Sequence, residues 1–121
     1  QNYLRVTTQT SGQDLCKQMK SRGQTEAYIV DDSGVLLGKI SLYAAIDAAD
    51  SSIERFMDSR PTILYSHNSL DESMLKVRQF VGESLPVVDA ETGKLEGSIT
   101  EGALFQAVTD VQKQARTLER A

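Results

Sequence analysis

The chain has 121 residues, of which 40% are hydrophobic and 25% are charged, and this is the composition of one globular domain that can bury its own core. The net charge of −4 argues against binding to nucleic acid, which requires a basic face, and against direct adhesion to anionic lipid. A single cysteine excludes an internal disulfide. The sequence has no apolar run of membrane-spanning length and no signal peptide, so we expect a cytoplasmic chain. Because the sequence enters a strand-like segment at once, we expect a fragment of a larger protein.

The first half of the chain predicts five elements. A short strand over residues 4–7 precedes a helix in which Leu15 and Met19 share one face. Two strands follow within residues 27–41 as a hairpin, and Ser41 can then cap an alanine-rich helix. The predicted order is therefore strand, helix, strand, strand, helix.

The second half predicts the same order. Pro61 ends the segment before it, because proline restricts the preceding residue to extended geometry, and a short strand over 62–65 follows. Ser69 and Glu72 have the spacing of a capping box, in which a serine and a glutamate satisfy two free amides at a helix start. The apolar stripe of that helix comprises Leu70, Met74, Val77 and Val81. The last elements are a hairpin over residues 85–100 and a helix that begins at Thr100 and carries Ala103, Leu104, Ala107, Val108 and Val111.

The two hairpins are copies of one pattern. In each, an apolar run ends at an aspartate, a polar turn with a glycine follows, and a second glycine lies inside the next strand. With one extra residue in the second turn, the matched pairs are Val30 and Val88, Asp31 and Asp89, Gly34 and Gly93, Leu36 and Leu95, Gly38 and Gly97, Ile40 and Ile99, and Ser41 and Thr100. A glycine within a strand predicts a bulge or the close approach of another backbone.

This repeated pattern resembles the CBS domain family, and the resemblance covers almost the whole chain. It implies an α+β (α/β) fold of two β-α-β-β-α repeats, residues 1–57 and 58–121, packed as a pseudo-two-fold symmetric pair, the Bateman module. It also implies a homodimer through the CBS helices, clefts between the repeats that bind AMP, ADP or ATP, and control of an attached enzyme, channel or transporter.

The candidate ligand-binding residues are Tyr28, Ser41, Ala44, Thr62, Ile63, Pro86, Thr100 and Ala103. In the family, the hydroxyl residue that opens the last helix contacts phosphates, and Ser41 and Thr100 match it. An aspartate three residues later holds the ribose, and here Ala44 and Ala103 stand in its place. The loss of a charge-assisted acceptor lowers affinity for a ribose by roughly tenfold or more.

Structural interpretations stand beside these. Ser41 and Thr100 can equally be helix caps, and Tyr28 can be a packed strand residue rather than a platform for a base. Because Cys16 lies near an apolar stripe, we expect it to be a packed small side chain. His67 lies in a polar turn, and we expect it to be exposed. The sequence has no pattern typical of a catalytic or metal site, so we expect no enzyme activity.

Two functions remain open. One is a regulatory sensor of a nucleotide, and the other is a structural dimerisation module that has lost its ligand. The parent is expected to be a membrane transport protein: residues 80–89 resemble the cytosolic part of bacterial ClC-type chloride channels, and residues 27–41 resemble the tails of glycine-betaine transporter ATPases.

Overall fold

The computed structural model describes residues 3–69, 72, 84–100, 102, 103, 106 and 110. In chain order, the elements are β1 (Arg5–Thr7), α1 (Gly12–Arg22), β2 (Glu26–Val30), β3 (Leu36–Ser41), α2 (Leu42–Asp47), a 3-10 turn (Ile53–Arg55), β4 (Leu64–Tyr65), β5 (Ser84–Val88) and β6 (Leu95–Thr100). The predicted stripe of Leu70, Met74, Val77 and Val81, and the later positions Leu104, Ala107, Val108 and Val111, lie outside the described residues.

The six strands form two sheets with the same topology. The first has the order β1-β2-β3 and the second the order β4-β5-β6. In each sheet, the first strand runs parallel to the second, and the second and third form an antiparallel hairpin. The predicted α+β fold is therefore confirmed, although β1 and β4 are shorter than the strands predicted over residues 4–7 and 62–65.

Helix α1 has clear start and stop signals. The Ser11 side chain accepts a hydrogen bond from the Asp14 amide at 3.1 Å, and the helix ends at Gly23 in the left-handed conformation. Leu15 and Met19 are fully buried, as their shared face predicts. Burial of side chains of this size stabilises the fold by about 1.5–3 kcal/mol each. They belong to a core cluster in which both helices of the first half cover β2 and β3.

The aspartate-glycine turns form as predicted in both hairpins. The Asp31 carboxylate accepts from the amides of Ser33 and Val35 at 2.8 and 3.0 Å. The Asp89 carboxylate accepts from the Glu91 amide at 3.2 Å. The turn glycines, Gly34 and Gly93, have φ of 88° and 74°, a conformation that glycine adopts without steric cost.

The two turns also bind each other, and this joins the two sheets. The Leu36 amide donates to the Gly93 carbonyl at 3.0 Å, and the Leu95 amide donates to the Gly34 carbonyl at 2.9 Å. One cluster of buried side chains also draws on both sheets: Tyr28, Val30, Val88 and Leu95. The two halves therefore share a core.

The strand glycines lie beside bulges, as predicted. Gly38 is opposite Ile29 and Gly97 is opposite Val87, and in each hairpin the register shifts at the next residue of the partner strand. A Cβ atom at Gly38 would lie 2.6 Å from the Asp58 carbonyl oxygen, so a second backbone does approach there.

Within the described residues, no helix has both the length and the apolar character that crossing a bilayer requires.

Candidate functional site

A cleft with a volume of about 480 Å³ lies between the two halves of the chain. Its described lining residues are Tyr3, Gln24, Glu26, Tyr28, Ser84, Glu96, Gly97, Ser98, Ile99, Thr100 and Ala103. They come from β2 and the segments before β1 and β2 in the first half, and from β5, β6 and Ala103 in the second. We call this the inter-repeat cleft.

Hydroxyl groups from both halves meet in the inter-repeat cleft. The Tyr28 hydroxyl lies 2.6 Å from the Ser84 Oγ and 2.8 Å from the Ser98 Oγ. The Tyr28 ring is 1% exposed and packs edge-on against Tyr3, with ring centroids 5.8 Å apart. Burial raises the pKa of Tyr28, and the hydrogen bonds to the two serines only partly oppose this, so the phenol is neutral at pH 7.

A carboxylate and an ammonium group extend this set. The Glu26 carboxylate accepts from the Ser84 amide at 3.0 Å and lies 3.2 Å from the Ser84 Oγ. It also forms an ion pair with Lys39 at 3.1 Å, and the Lys39 ammonium donates to the Ser84 carbonyl at 3.2 Å. The two side chains are 14% and 10% exposed, so their mutual attraction is screened less than that of a surface pair.

Thr100 also lines the cleft. Its Oγ1 accepts from the Ala103 amide at 3.1 Å, which is the predicted cap geometry. The threonine hydroxyl keeps its own hydrogen for a further bond. A ligand anion in the cleft could therefore accept from Thr100 without breaking the cap.

Only three of the eight predicted site residues, Tyr28, Thr100 and Ala103, are among the described lining residues of the inter-repeat cleft. Ser41 caps α2 by accepting from the Ala44 amide at 3.1 Å.

The other predicted site residues also have packing roles. Ala44 packs against the core of the first half, and Ile63 packs against the cluster shared by the sheets. Pro86 is fully buried within β5, and Thr62 is half-buried before β4.

The pseudo-equivalent region of the first half differs from the inter-repeat cleft. There, the Lys39 amide donates to the Asp58 carbonyl at 3.0 Å, and the Asp58 amide donates to the Lys39 carbonyl at 2.7 Å. Met57 and Asp58 thus cover β3 at Gly38, whereas no described atom lies within 4 Å of a Cβ atom built on Gly97. Among the described residues, the two halves share a topology but differ in what covers the glycine of the third strand.

Among the polar residues that the sequence interpretation missed are Glu26, Ser84 and Ser98, which line the cleft, and Lys39, which pairs with Glu26. A signal was present, because Lys39 and Ser98 are polar side chains inside strands, and each is paired across its hairpin with Tyr28 or Pro86. The sequence of a single strand does not show whether such a residue faces solvent or a polar cleft.

Cys16 and His67 have the environments that their sequence contexts predict. Cys16 is half-buried against the core of the first half. His67 is exposed and stacks on Tyr65 at a ring distance of 5.9 Å.

Comparison with known proteins identifies the fold. Residues 53–110 match the model of the CBS domain, whereas a search of curated proteins finds no match.

Three solved structures illustrate the likeness. CBSX2 in complex with AMP, a CBS-pair protein of Arabidopsis thaliana, is 23% identical with a TM-score of 0.77, and the match covers 92% of this chain and 90% of that one. OpuCA of Staphylococcus aureus is 19% identical with a TM-score of 0.78 over 90% of this chain and 94% of that one. The cytosolic domain of the Mg²⁺ channel MgtE in complex with ATP is 22% identical with a TM-score of 0.74, over 88% of this chain and 45% of that one. The chain therefore has the fold of a CBS pair.

Proposed function

We propose that the chain is the regulatory module of a larger protein and that an adenosine nucleotide (AMP, ADP or ATP) binds in the inter-repeat cleft. The observation that carries this proposal is the cleft itself, which lies between the two halves and has the free hydroxyl hydrogen of Thr100 at its side. A ligand held by both halves can change their relative geometry, provided that it binds one arrangement more tightly than the other. The proposal gives the chain no catalytic step of its own.

Two comparisons support the class of ligand. CBSX2 is described in complex with AMP and the MgtE cytosolic domain in complex with ATP, and both share this fold. In this chain, Thr100 would donate to a phosphate oxygen beside the start of a helix, where free amides also favour anions. Ala103 supplies no carboxylate for the ribose, so we expect affinity about tenfold weaker than a site with that acceptor would have.

Substitution of the cap hydroxyl tests the assignment. Thr100→Ala removes the proposed phosphate donor and a helix cap, while Ser11→Ala removes an equivalent cap at α1, outside the cleft. Calorimetry with AMP, ADP and ATP should show binding to the wild type and to Ser11→Ala, and affinity about tenfold weaker for Thr100→Ala. Absence of heat and of any melting shift with all three nucleotides would refute the proposed ligand.

We further infer a membrane transport protein as the parent, with this module on its cytosolic side. The soluble part of a magnesium transporter, whose match covers 44% of that chain, and the MgtE cytosolic domain support it. The ClC-type chloride channel and the glycine-betaine transporter stay predictions from sequence resemblance. Reading the coding sequence around this segment for membrane spans or an ATPase signature would decide among these parents.

The second candidate function is a dimerisation module without a ligand. Two observations favour it: alanines replace both ribose-binding aspartates, and α2 presents Tyr43 and Ile46, which are 82% and 47% exposed, on one outward face. Homodimerisation through the helices is expected under both candidates. What separates them is the response of the chain to nucleotide.

A further inference from the structure

In the row of hydrogen bonds that links Ser98, Tyr28, Ser84 and Glu26, the carboxylate of Glu26 determines which groups donate. Glu26 is held in an ion pair with Lys39, so its carboxylate can only accept. The Ser84 Oγ lies 3.2 Å from the Glu26 Oε1, and its one hydrogen is therefore directed to that oxygen. Ser84 has no second hydrogen to offer to Tyr28.

The hydrogen bonds of Tyr28 follow from this. With the Ser84 hydrogen committed, the 2.6 Å contact between Ser84 and Tyr28 requires the phenol to be the donor. The phenol keeps its hydrogen, because burial raises the pKa of Tyr28. Its hydrogen is now used as well, so the 2.8 Å contact with Ser98 requires the Ser98 hydroxyl to donate. The hydrogens run from Ser98 to Tyr28 to Ser84 to Glu26.

We infer that Ser98 presents only acceptor lone pairs to the inter-repeat cleft, and that it selects a ligand with an N–H or O–H donor at that position. This inference rests on the proposed function and adds a specificity-determining residue to it. Ser98 is half-buried and lines the cleft, so an anionic oxygen placed against it would meet lone pairs.

The same geometry orients the ligand. Ser98 and Thr100 are alternate residues of β6, and alternate residues of a strand share a face. Thr100 accepts from the Ala103 amide and keeps its hydrogen, whereas the hydrogen of Ser98 is used. The anionic end of the ligand therefore lies at Thr100, and a hydroxyl or amino group lies at Ser98.

Neutron diffraction on deuterated crystals of the unliganded chain tests the direction without a ligand. The deuteron on Tyr28 should point to the Ser84 Oγ, and that on Ser98 should point to Tyr28. A deuteron on Tyr28 that points to Ser98 would overturn the inference, whether or not a nucleotide binds.

Calorimetry tests the selection. AMP is compared with analogues that lack the 6-amino, 2′-hydroxyl or 3′-hydroxyl group, on the wild type, Ser98→Ala and Ser98→Thr. Deletion of the one group that lies against Ser98 should weaken binding about tenfold in the wild type and in Ser98→Thr, and should have no effect in Ser98→Ala. Equal losses in all three proteins for every analogue would overturn the selection, whereas absence of AMP binding to the wild type would refute the proposed function and leave the neutron result to decide the direction.

Discussion

Tyr28 shows how one residue can belong to the core and to the candidate site. Its ring packs in the cluster shared by the two sheets, and its hydroxyl connects Ser84 and Ser98 across the halves. Of the two sequence interpretations of Tyr28, the packed strand residue is the one that its burial favours. The hydroxyl contacts could not be predicted, because they depend on how the two repeats pack.

We expect Tyr28→Phe to destabilise the fold by about 1–3 kcal/mol. The substitution keeps the ring and leaves the Ser84 and Ser98 hydroxyls without their shared partner, and a half-buried polar group that loses a partner costs about this much. Urea unfolding measures the change. Tyr43→Phe is the matched control, because Tyr43 is 82% exposed, and it should change stability by less than about 0.5 kcal/mol.

The Tyr28→Phe variant also reports on ionisation of the phenol. Because burial raises the pKa of Tyr28 above 10.0, the folded chain keeps the phenolic proton more tightly than the unfolded chain. This contribution to stability is complete below about pH 10 and is lost as the pH rises through the raised pKa. The stability advantage of the wild type over Tyr28→Phe should therefore shrink at about pH 11, and an advantage that grows there would contradict the assigned direction.

At the scale of elements, the hairpins were the most predictable part of the fold. An aspartate that bonds its own turn and a glycine with positive φ are local features, and both turns form around Asp31 and Asp89 as expected. A local sequence pattern does not predict contacts between segments that are distant along the chain. The covering of β3 by Met57 and Asp58, for example, depends on where the chain goes after α2.

The two strand glycines should respond differently to alanine. A Cβ atom at Gly38 would meet the Asp58 carbonyl oxygen at 2.6 Å and the Met57 sulfur at 2.7 Å, so Gly38→Ala should cost about 1–3 kcal/mol through overpacking. A Cβ atom at Gly97 has no described atom within 4 Å, so Gly97→Ala should cost less than about 1 kcal/mol. Thermal unfolding of both variants compares them, and equal losses would contradict the difference in the described packing around the two glycines.

At the scale of the whole molecule, the pairing of repeats is what creates the site. The inter-repeat cleft draws on both halves, and the bonds between the turns at Gly34 and Gly93 help to hold those halves together. The duplicated pattern predicted the pair, and the family resemblance named Thr100 and Ala103, which line the cleft. The pattern could not predict that Met57 and Asp58 cover β3 at Gly38, because this contact depends on the path of the chain after α2.

Association of two chains is also a property of the whole molecule. We expect Ile46→Glu to weaken a homodimer, because it places a charge on the outward face of α2, where Ile46 is 47% exposed. Sedimentation velocity at micromolar concentration should show a dimer for the wild type and a larger monomer fraction for the variant. A wild-type monomer at that concentration would contradict dimerisation through this face.

Restoring the missing carboxylate tests the central claim, that a nucleotide binds in the inter-repeat cleft, most directly. Ala103 lines the cleft and follows Thr100 by three residues, so Ala103→Asp supplies an acceptor for the ribose hydroxyls at this site. Calorimetry should show AMP binding to Ala103→Asp about tenfold more tightly than to the wild type, since a charge-assisted hydrogen bond is gained. Unchanged or weaker binding by Ala103→Asp would contradict the claim.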